Sequence, residues 1–296
     1  MSTKNKKGVI LKGVGGFYNI RDTVGNICIC KACGRFRKEG VAPILGDKVL
    51  FSYNDNANGY IEKIYPRKNE LTRPRAANID IAAIVISAEK PKADCLLLDK
   101  QIIKAQLSGI KPLLIINKCD AAEQCVIDEL SGQYEKVCGV LRVSALTGRG
   151  IDELKTKLKG YCTCFAGQSA VGKTSILNAL FPSLNLETGG LSKKIDRGRH
   201  TTRHAQMLFM DDICVIDTPG FSLLESAALE PEQLSSQYKD MLQYAKKCRF
   251  ASCLHADEPD CGVKEAVERG DINEKRYNRY IKILNELKDR RSKKYD

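Results

Sequence analysis

One short stretch, GQSAVGKTS at residues 167–175, constrains the fold of this chain more than any other. It matches the pattern G-x-x-x-x-G-K-[ST], which forms a phosphate-binding loop when a strand precedes it and a helix follows it. Both conditions are met, since YCTCFAG has the pattern of an apolar strand and KTSILNALF that of a helix. The sequence therefore predicts a P-loop at the end of a strand in an α/β domain.

The residue types in this loop suit a bound nucleoside triphosphate. Gly167 and Gly172 let the backbone fold tightly enough for its N–H groups to face phosphate oxygens. Lys173 supplies a charge for the β- and γ-phosphates, and the Thr174 hydroxyl is expected to bind Mg²⁺. Ser175 extends the nest into the helix N-terminus, where the dipole favours an anion. The residues predicted to bind nucleotide here are Gly167, Gln168, Ser169, Ala170, Val171, Gly172, Lys173, Thr174 and Ser175.

A second motif, NKCD at residues 117–120, indicates that the base is guanine. The Asp120 carboxylate can accept hydrogen bonds from guanine's ring N–H and exocyclic amine, whereas adenine would leave it unpaired. Asn117 either binds the other edge of the base or ties the motif to the P-loop, and the Lys118 stem can cover the base. The tripeptide SAL, residues 144–146, adds backbone N–H groups for the guanine carbonyl oxygen. The predicted base-binding residues are Asn117, Lys118, Cys119, Asp120, Ser144 and Ala145.

The elements predicted to drive hydrolysis lie between the P-loop and the motif DTPG. Asp217 is expected to hold Mg²⁺ through water, and the Gly220 N–H to sense the γ-phosphate. Thr202, with Thr201 as the alternative, is expected to close on Mg²⁺ and the γ-phosphate. Because no glutamine follows DTPG, His200 is the candidate for positioning the attacking water; the alternative is an exposed loop histidine. The predicted catalytic residues are His200, Lys173, Thr202 and Gly220, and the predicted magnesium ligands are Thr174, Thr202 and Asp217.

The order of these motifs along the chain is unusual. NKCD and SAL come before the P-loop, whereas in the common run of GTPases the P-loop comes first. A parallel sheet is defined by which strands are neighbours, so joining the original ends of a domain and opening it elsewhere preserves its packing. The order therefore predicts a circularly permuted GTPase domain that the chain leaves directly after DTPG. We hypothesise that this exit couples hydrolysis mechanically to the C-terminal region.

The segments around the motifs predict the rest of the fold. Residues 8–65 contain five short β patterns, which fit a small closed barrel such as an OB-fold, either an RNA-binding module or a spacer. Residues 66–78 are predicted to be a linker, because they contain two prolines, several charges and no apolar period. From residue 79 onwards strand and helix patterns alternate, which predicts a mostly parallel sheet with helices on both faces.

Composition limits the partners and the compartment. The 296 residues carry a net charge of +12, and the basic surplus lies in residues 1–68 and 272–296. Basic ends around a near-neutral middle favour a polyanionic partner such as nucleic acid over a merely basic protein. No apolar run approaches the roughly 20 residues that span a bilayer, and no apolar signal core begins the chain, so a cytoplasmic protein is expected. The 13 cysteines are then thiols or metal ligands rather than disulfides.

The segment CRFASCLHADEPDC predicts a metal site near the C-terminus. Its spacing, C-x₄-C-x-H-x₅-C, supplies three thiolates and one imidazole, a set that suits tetrahedral zinc. Four ligands leave no open position, so the zinc is expected to be structural. The predicted ligands are Cys248, Cys253, His255 and Cys261.

Two further features leave alternatives open. Three cysteines near the N-terminus lack a fourth close ligand and are interpreted as small barrel residues, with metal binding as the alternative; they are Cys28, Cys30 and Cys33. A helix is predicted at about residues 272–291, with an apolar stripe that docks on the zinc region. Its basic remainder, which includes Arg276 and Arg279, is either a solvated face or an rRNA contact.

The circular order, GQSAVGKTS, GRHTTR, DTPGF and CRFASCLHADEPDCGVKEAVERG together resemble the RsgA family of small ribosomal subunit biogenesis GTPases, also called YjeQ or EngC. The resemblance covers nearly the whole chain and implies an OB-fold at 1–68, a permuted G domain at 69–223 and a zinc-binding domain at 224–296. It maps the family's water-positioning histidine onto His200 and its zinc ligands onto the four residues above. Ala170 stands where a glycine is frequent, a conservative change for phosphate binding.

The resemblance also implies a function and partners. The expected protein is a monomer without a membrane partner, which binds the small ribosomal subunit and its rRNA late in maturation. It hydrolyses GTP to GDP and phosphate with stimulation by that particle and is released afterwards. Thr174 stands where a serine is frequent in the family, which is conservative for Mg²⁺ binding.

Two other functions are compatible with the motifs. The first is a stand-alone P-loop phosphotransferase acting on a small substrate, although no second substrate-binding signature lies beside the P-loop. The second is an RNA-binding module in which the nucleotide is a structural ligand. Stimulation of turnover by small subunits separates the first from a GTPase switch, and subunit maturation by a Lys173→Ala protein would favour the second.

Overall fold

Three regions follow one another in this computed structural model: a β-barrel, an α/β sheet and a helical region. The barrel and the sheet are joined by a short hairpin, and the helical region follows the sheet. This is the multidomain α/β architecture predicted from the sequence. The residues that the structure describes are 4–53, 59–72, 75–184, 206–210, 212–217 and 229–295.

The N-terminal barrel closes in the strand order β1-β2-β3-β5-β4, with β3 and β5 parallel and β1 and β4 antiparallel. Ile10, Phe51 and Ile61 fill its core. Cys28 and Cys30 also point into this core, and burial raises the pKa of the Cys30 thiol to about 12. The barrel elements are β1 (Lys4–Val14), β2 (Phe17–Asp22), β3 (Ile27–Ala32), α1 (Gly34–Lys38), β4 (Lys48–Tyr53) and β5 (Gly59–Ile64), with Cys33 half-buried against the core.

The predicted linker is in part folded, which corrects the sequence interpretation. Strands β6 (Glu70–Thr72) and β7 (Arg75–Ala77) form an antiparallel hairpin within it. Leu71 is buried in the core of the α/β region, and Arg67 Nε donates a hydrogen bond of 2.7 Å to Asp47 Oδ1 of the barrel. Three-residue strands are too short to produce a readable alternation, so the sequence pattern missed them.

The central sheet has the order β10-β9-β8-β11-β13-β12 among the described residues, and only β12 runs antiparallel to its neighbour. Alternate residues of its strands pack on opposite faces: Ile84 and Leu114 belong to one core cluster, Val85 and Ile115 to the other. The strands are β8 (Ile81–Ser87), β9 (Lys111–Asn117), β10 (Gly139–Arg142), β11 (Cys162–Ala166), β12 (Gln206–Met210) and β13 (Ile213–Asp217); the helices are α2 (Cys95–Leu107), α3 (Gln124–Gly132), α4 (Ile151–Leu158) and α5 (Lys173–Leu180).

The spatial order of the strands explains how the permuted chain builds one site. Strand β11 lies between β8 and β13, although about 80 residues separate β8 from β11 along the chain. All the strands from β8 to β11 are parallel, so their carboxyl ends meet at the same edge. Open sheets of this type bind ligands beyond that edge.

The barrel packs on the sheet beside β12. The Arg21 guanidinium carbon lies 4.7 Å from the centroid of the Phe209 ring, and Leu45 forms a bridge with Ala76. The Asn78 side-chain amide donates a hydrogen bond of 2.9 Å to the Gly46 carbonyl oxygen. No sequence pattern predicted β12, because this strand has only five residues and follows a long polar segment.

The C-terminal region consists of α6 (Pro231–Leu234), α7 (Leu242–Ala245), α8 (Gly262–Glu268) and the long α9 (Glu274–Tyr295). Its core contains Tyr238, Tyr280 and Leu284. The interpretation of the basic face of α9 is corrected in part: Arg276 and Arg279 are 2% and 12% exposed, because they pair with buried carboxylates. Both guanidinium groups are therefore taken up by ion pairs within the protein rather than by rRNA. None of the helices within the described ranges is both long and apolar enough for a membrane span.

Candidate functional site

The P-loop, residues 167–174, leaves the carboxyl end of β11 and opens α5. Gly167 has a φ of +127°, and a Cβ there would lie 2.1 Å from the Val85 carbonyl oxygen. Gly172 has a φ of +95°, and a Cβ there would lie 2.3 Å from Asn117 Nδ2. Side chains are strained at both φ values, and atoms already fill both Cβ positions. Only glycine fits these two places in the loop.

Ala170 also has a left-handed backbone, with a φ of +63°. Replacing it with glycine is expected to raise the free energy of unfolding by about 0.5–1 kcal/mol, because the relieved strain exceeds the added entropy of the unfolded chain. Urea unfolding would measure the change. As a control, Ala179→Gly within α5 should lower the free energy of unfolding by about 1 kcal/mol. Equal destabilisation by both changes would contradict a strained Ala170.

The Lys173 side chain folds back over the loop. Its Nζ donates hydrogen bonds to the carbonyl oxygens of Gly167, at 2.8 Å, and Gln168. Burial lowers the pKa of this ammonium below its usual value. Thr174 and Ser175 are half-buried in the first turn of α5. The charge and both hydroxyl-bearing residues thus lie at the mouth of the loop.

The remaining loop residues divide into exposed and anchoring ones. Ser169 and Ala170 are exposed at the tip, whereas Val171 is fully buried in the core between the sheet and its helices. The Gln168 side chain reaches sideways, where its Oε1 accepts a hydrogen bond of 3.2 Å from the Asp94 N–H. The loop is therefore anchored at Gln168 and Val171, and the two residues between them are exposed at its tip.

Asn117 joins three segments that lie far apart in the chain. Its Nδ2 donates a hydrogen bond of 2.9 Å to the Val171 carbonyl oxygen of the P-loop. Its Oδ1 accepts a hydrogen bond of 3.1 Å from the Ala145 N–H of the SAL tripeptide. The side chain is 1% exposed. Of the two roles considered from the sequence, the structure supports the one in which Asn117 ties the motif to the P-loop.

The other residues of NKCD face different surroundings. Lys118 has a φ of +63°, and its Nζ donates hydrogen bonds to the carbonyl oxygens of Ala170, at 2.9 Å, and Lys90. Cys119 is buried in the core on one face of the sheet, where its Sγ lies 3.2 Å from the Ile116 carbonyl oxygen; burial raises the pKa of this thiol. Asp120 is exposed at the carboxyl edge of the sheet. Its side chain is thus accessible from solvent.

The SAL tripeptide is held in place by its first residue. Ser144 is fully buried, and its Oγ accepts a hydrogen bond of 3.1 Å from the Thr147 N–H. Ala145 follows at an intermediate depth, and Leu146 is 86% exposed. The P-loop, NKCD and SAL are therefore brought together at one edge of the sheet, as the order of strands requires.

Four of the predicted hydrolytic residues lie outside the described residues, namely His200, Thr201, Thr202 and Gly220. Asp217 ends β13, and nothing is described of its side chain. Strand β13 runs parallel to β11, and Ile216 pairs with Cys164. The backbone of Asp217 is therefore at the same edge of the sheet as the P-loop.

The four predicted zinc ligands converge on one point in the C-terminal region. Sγ of Cys261 lies 3.8 Å from Sγ of Cys248 and 3.7 Å from Sγ of Cys253. The His255 Nδ1 atom lies 3.4 Å from Sγ of Cys248 and 3.5 Å from Sγ of Cys261. A tetrahedral zinc ion with Zn–S bonds of about 2.3 Å has S···S edges of about 3.8 Å and N···S edges of about 3.5 Å. The donor set and its spacing fit zinc.

Residues around the cluster fix the loop that carries it. The hydroxyl of Tyr277 donates to the His255 carbonyl oxygen at 2.8 Å, and that of Tyr280 to the Leu254 carbonyl oxygen at 2.7 Å. The Glu258 carboxylate accepts hydrogen bonds from two backbone N–H groups of the same loop. Burial lowers the pKa of His255, which favours the neutral imidazole that binds metals.

Sequence reasoning missed a group of residues between the nucleotide pocket and the C-terminal region. Asp99 of α2 is 1% exposed and pairs with both Arg276 and Arg279 of α9. Asp94 caps α2, because its Oδ1 accepts a hydrogen bond from the Leu97 N–H. An aspartate just before an apolar helical run is a cap signal that was available in the sequence. The pairing of Asp99 joins residues 177 positions apart and left no local signal.

Comparisons with known proteins extend these observations to the whole chain. The family model described as "RsgA GTPase" matches residues 64–227, and "RsgA N-terminal domain" matches residues 7–61. Two relatives carry the name "Small ribosomal subunit biogenesis GTPase RsgA". The one from Caldanaerobacter subterraneus is 41% identical over 98% of both chains. The one from Ruminiclostridium cellulolyticum is 43% identical over 95% of this chain and 94% of its own.

Two solved structures agree with the fold. One, titled a crystal structure of YjeQ from Thermotoga maritima, superposes with a TM-score of 0.85 and 36% identity, covering 96% of this chain and 99% of its own. The other, titled as YloQ, a circularly permuted GTPase, gives a TM-score of 0.82 and 32% identity, covering 97% and 96%. The predicted permutation is thus confirmed. The chain belongs to the RsgA GTPase family, whose members are GTP-hydrolysing enzymes with a circularly permuted nucleotide-binding domain.

Proposed function

We propose that this protein is a late-stage maturation factor of the small ribosomal subunit, which hydrolyses GTP to GDP and phosphate when that particle stimulates it. One observation carries the proposal: Asn117 ties the P-loop and the SAL tripeptide into a single pocket, in a chain whose relatives are named for small-subunit biogenesis. We take residues 1–68, 69–223 and 224–296 as the three domains.

In this proposal the pocket selects GTP by two kinds of contact. The loop amides from Gly167 to Ser175 surround the phosphates, and the Lys173 ammonium exchanges its bonds with loop carbonyl groups for the β- and γ-phosphates. The exposed Asp120 carboxylate accepts hydrogen bonds from guanine. Ala145, whose N–H donates to Asn117 Oδ1, is proposed to line the base side of the pocket. The Lys118 stem covers the face of the base, since its ammonium is held over the P-loop.

Mg²⁺ bound with GTP neutralises charge on the phosphates. Thr174, at the start of α5, and Asp217, at the end of β13, are the proposed ligands from described segments. Thr202 is proposed as the third ligand, with Thr201 as its alternative, and Gly220 as the γ-phosphate sensor. His200 is proposed to position the attacking water, because the residue after DTPG is not a glutamine.

The C-terminal cluster is proposed to hold one structural zinc ion through Cys248, Cys253, His255 and Cys261. Zinc at such a site contributes folding energy and no open coordination position. The ion would therefore have only a structural role. It would hold the loop at residues 248–261 against α9, where the hydroxyls of Tyr277 and Tyr280 also bind the loop backbone.

The outer face of the barrel is proposed to contact rRNA. Phe17 pairs with Lys31 across β2 and β3, and Lys31 pairs with Tyr60 across β3 and β5, so the three side chains lie in a row. The two aromatic residues are 43% and 48% exposed, and Lys31 Nζ lies 4.8 Å from the Phe17 ring centroid. Exposed rings beside a cation are suited to stacking unpaired bases.

The protein would act as a cytoplasmic monomer.

Purified small ribosomal subunits are expected to raise the GTP turnover of this protein by at least about tenfold, whereas large subunits leave it unchanged. Phosphate release would be measured with each particle at several salt concentrations. In parallel, the protein should co-sediment with small subunits more strongly in a non-hydrolysable GTP analogue than in GDP. Binding that ignores both nucleotide and subunit would indicate only electrostatic attraction to RNA and would refute the proposal.

The His200→Ala protein is expected to turn over GTP at least about tenfold more slowly, with a nearly unchanged affinity, because only the positioning of water is lost. Turnover would be measured with small subunits present and affinity with a fluorescent GTP analogue. His204→Ala, four residues further along, is the matched control and should turn over normally. Unchanged turnover of the His200 variant would remove this residue from the mechanism.

A further inference from the structure

Helix α2 reaches from the P-loop to the C-terminal region. At its N-terminal end, the Asp94 N–H donates a hydrogen bond of 3.2 Å to Gln168 Oε1 of the P-loop. The Asp94 carboxylate caps the same helix through the Leu97 N–H at 2.9 Å. One residue therefore binds both the P-loop and the first turn of α2. Any displacement of Gln168 acts directly on the end of this helix.

Slightly further along, α2 is joined to α9 by a buried ionic cluster. The Asp99 carboxylate accepts a hydrogen bond of 2.6 Å from the Arg276 guanidinium and another from Arg279. Arg276 also binds the Asp240 carboxylate at 2.8 Å, and Arg279 donates to the Tyr134 hydroxyl at 3.1 Å. Removing one partner of a buried charge pair is strongly destabilising, because the other charge stays buried. The two helices are therefore held in one relative position.

The other side of α9 carries the link on to the zinc-binding loop. Tyr277 and Tyr280 lie next to Arg276 and Arg279 in the same helix and bind the carbonyl oxygens of His255 and Leu254. A continuous set of hydrogen bonds and rigid helices thus runs from the P-loop through α2 and α9 to the metal-binding loop. This route is separate from the chain connection after DTPG.

We propose that α2 transmits the occupancy of the P-loop to the C-terminal region, with Asp99 and Arg279 as positioning residues. The physical cause is competition for Lys173, whose ammonium binds the Gly167 and Gln168 carbonyl oxygens. Phosphates take over this ammonium, Gln168 moves, and its bond to Asp94 changes strength. The inference rests on the proposed binding of nucleotide at this loop.

Coupling of this kind is reciprocal, since two sites that bias one element affect each other equally. If the bound nucleotide changes how often the hydrogen bonds of α9 open, then contacts that stabilise α9 must change the affinity for the nucleotide. Residues that never touch the nucleotide are then expected to change its affinity. Arg279 is the best residue for this test, because it is partly accessible and Arg276 still neutralises Asp99 when it is replaced.

Hydrogen exchange of the full-length, zinc-loaded protein is the first test. GDP at saturation is expected to change the exchange rates of α9 amides by at least about fivefold relative to the nucleotide-free protein. Two variants break the bond between P-loop and α2 from opposite sides: Gln168→Leu removes the acceptor, and Asp94→Pro removes the N–H donor. Both should lose the GDP-dependent change in α9. Asp94→Ala keeps the N–H and should retain it, despite the lost cap.

The affinity for GDP is the second test. Arg279→Gln is expected to weaken GDP binding by at least about fivefold, and Arg279→Lys to restore it in part, because lysine keeps the charge beside Asp99. The matched control is Glu286→Gln, which breaks the exposed ion pair with Lys100 between the same two helices. This variant should bind GDP normally. The comparison distinguishes the loss of the buried ionic cluster from the loss of any contact between α2 and α9.

Two results would overturn the inference. The first is α9 exchange that is equal with and without saturating GDP in the unmodified protein. The second is a failure of the variants: the GDP-dependent change persists in both Gln168→Leu and Asp94→Pro, and Arg279→Gln binds GDP with normal affinity. Titration with a fluorescent GDP analogue separates these results from failure of the proposed function, since only the latter predicts no saturable binding at all.

Discussion

Replacement of Cys253 with serine is expected to unfold the C-terminal region while the barrel and the sheet remain folded. The four candidate ligand atoms lie within 4.8 Å of one another, so a zinc ion held there would stabilise this conformation directly. Zinc sites of this type contribute on the order of 10–16 kcal/mol to folding at neutral pH, more than a small helical region can replace. Zinc content, helicity and hydrogen exchange of residues 229–295 would show the loss.

An exposed cysteine provides the control for this prediction. Cys125→Ser in α3 should keep one zinc ion per chain and the unfolding profile of the unmodified protein, because its thiol is exposed and far from the cluster in sequence. A strong chelator should reproduce the effect of Cys253→Ser. Equal zinc content and equal unfolding of the two variants would mean that the cluster does not hold a structural metal.

Replacement of Gly172 with alanine is expected to lower the affinity for GTP by roughly a hundredfold or more. Two independent effects act at this residue: its φ of +95° strains any side chain, and the new Cβ would lie 2.3 Å from Asn117 Nδ2. Asn117 must then move, although it also binds Val171 and Ala145. A displacement of about 1 Å in a positioning group costs about a hundredfold in reaction rate, and we expect a loss of similar size in GTP affinity when Asn117 no longer holds the pocket together. Titration with a fluorescent GTP analogue measures the effect.

Gly132→Ala is the matched control for the change at Gly172. Gly132 ends α3, lies outside the left-handed region, and no heavy atom lies within 4 Å of its Cβ position. This variant should bind GTP normally and be equally or more stable. Normal GTP binding by Gly172→Ala would show that the pocket tolerates displacement of Asn117. It would contradict the proposal that Asn117 holds the P-loop and the SAL tripeptide together for GTP binding.

The nucleotide pocket was predictable because its signals are local. Gly172 and Lys173 stand at fixed offsets in one loop, and β11 and α5 have clear periodicities on each side. NKCD ends a strand whose residues 112–116 are apolar and buried, which indicates its place at the edge of the sheet. The cluster of three cysteines and one histidine was predictable for the same reason, since its four members lie within 14 residues. The sequence left open what Asn117 binds, because its partners are distant in the chain.

Long-range contacts account for what the sequence did not predict. The charges of Arg276 and Arg279 suggested an exposed face, and only the position of Asp99 on α2 explains their burial. The hairpin after Arg67 and strand β12 are both short, and each is stabilised by packing against another region rather than by its own pattern. In such places tertiary contacts decide the structure, and local preference carries little information.

The packing of the barrel beside β12 has a consequence for a chain that lacks it. Leu45 belongs to the same apolar cluster as Met207 and Ile84 of the sheet, and Val9 and Leu11 pack against that cluster. Deleting the barrel would expose this surface at the sheet's outermost strand, where unpaired backbone groups recruit other chains. By covering this surface, the N-terminal barrel is expected to reduce aggregation of the domain that follows it.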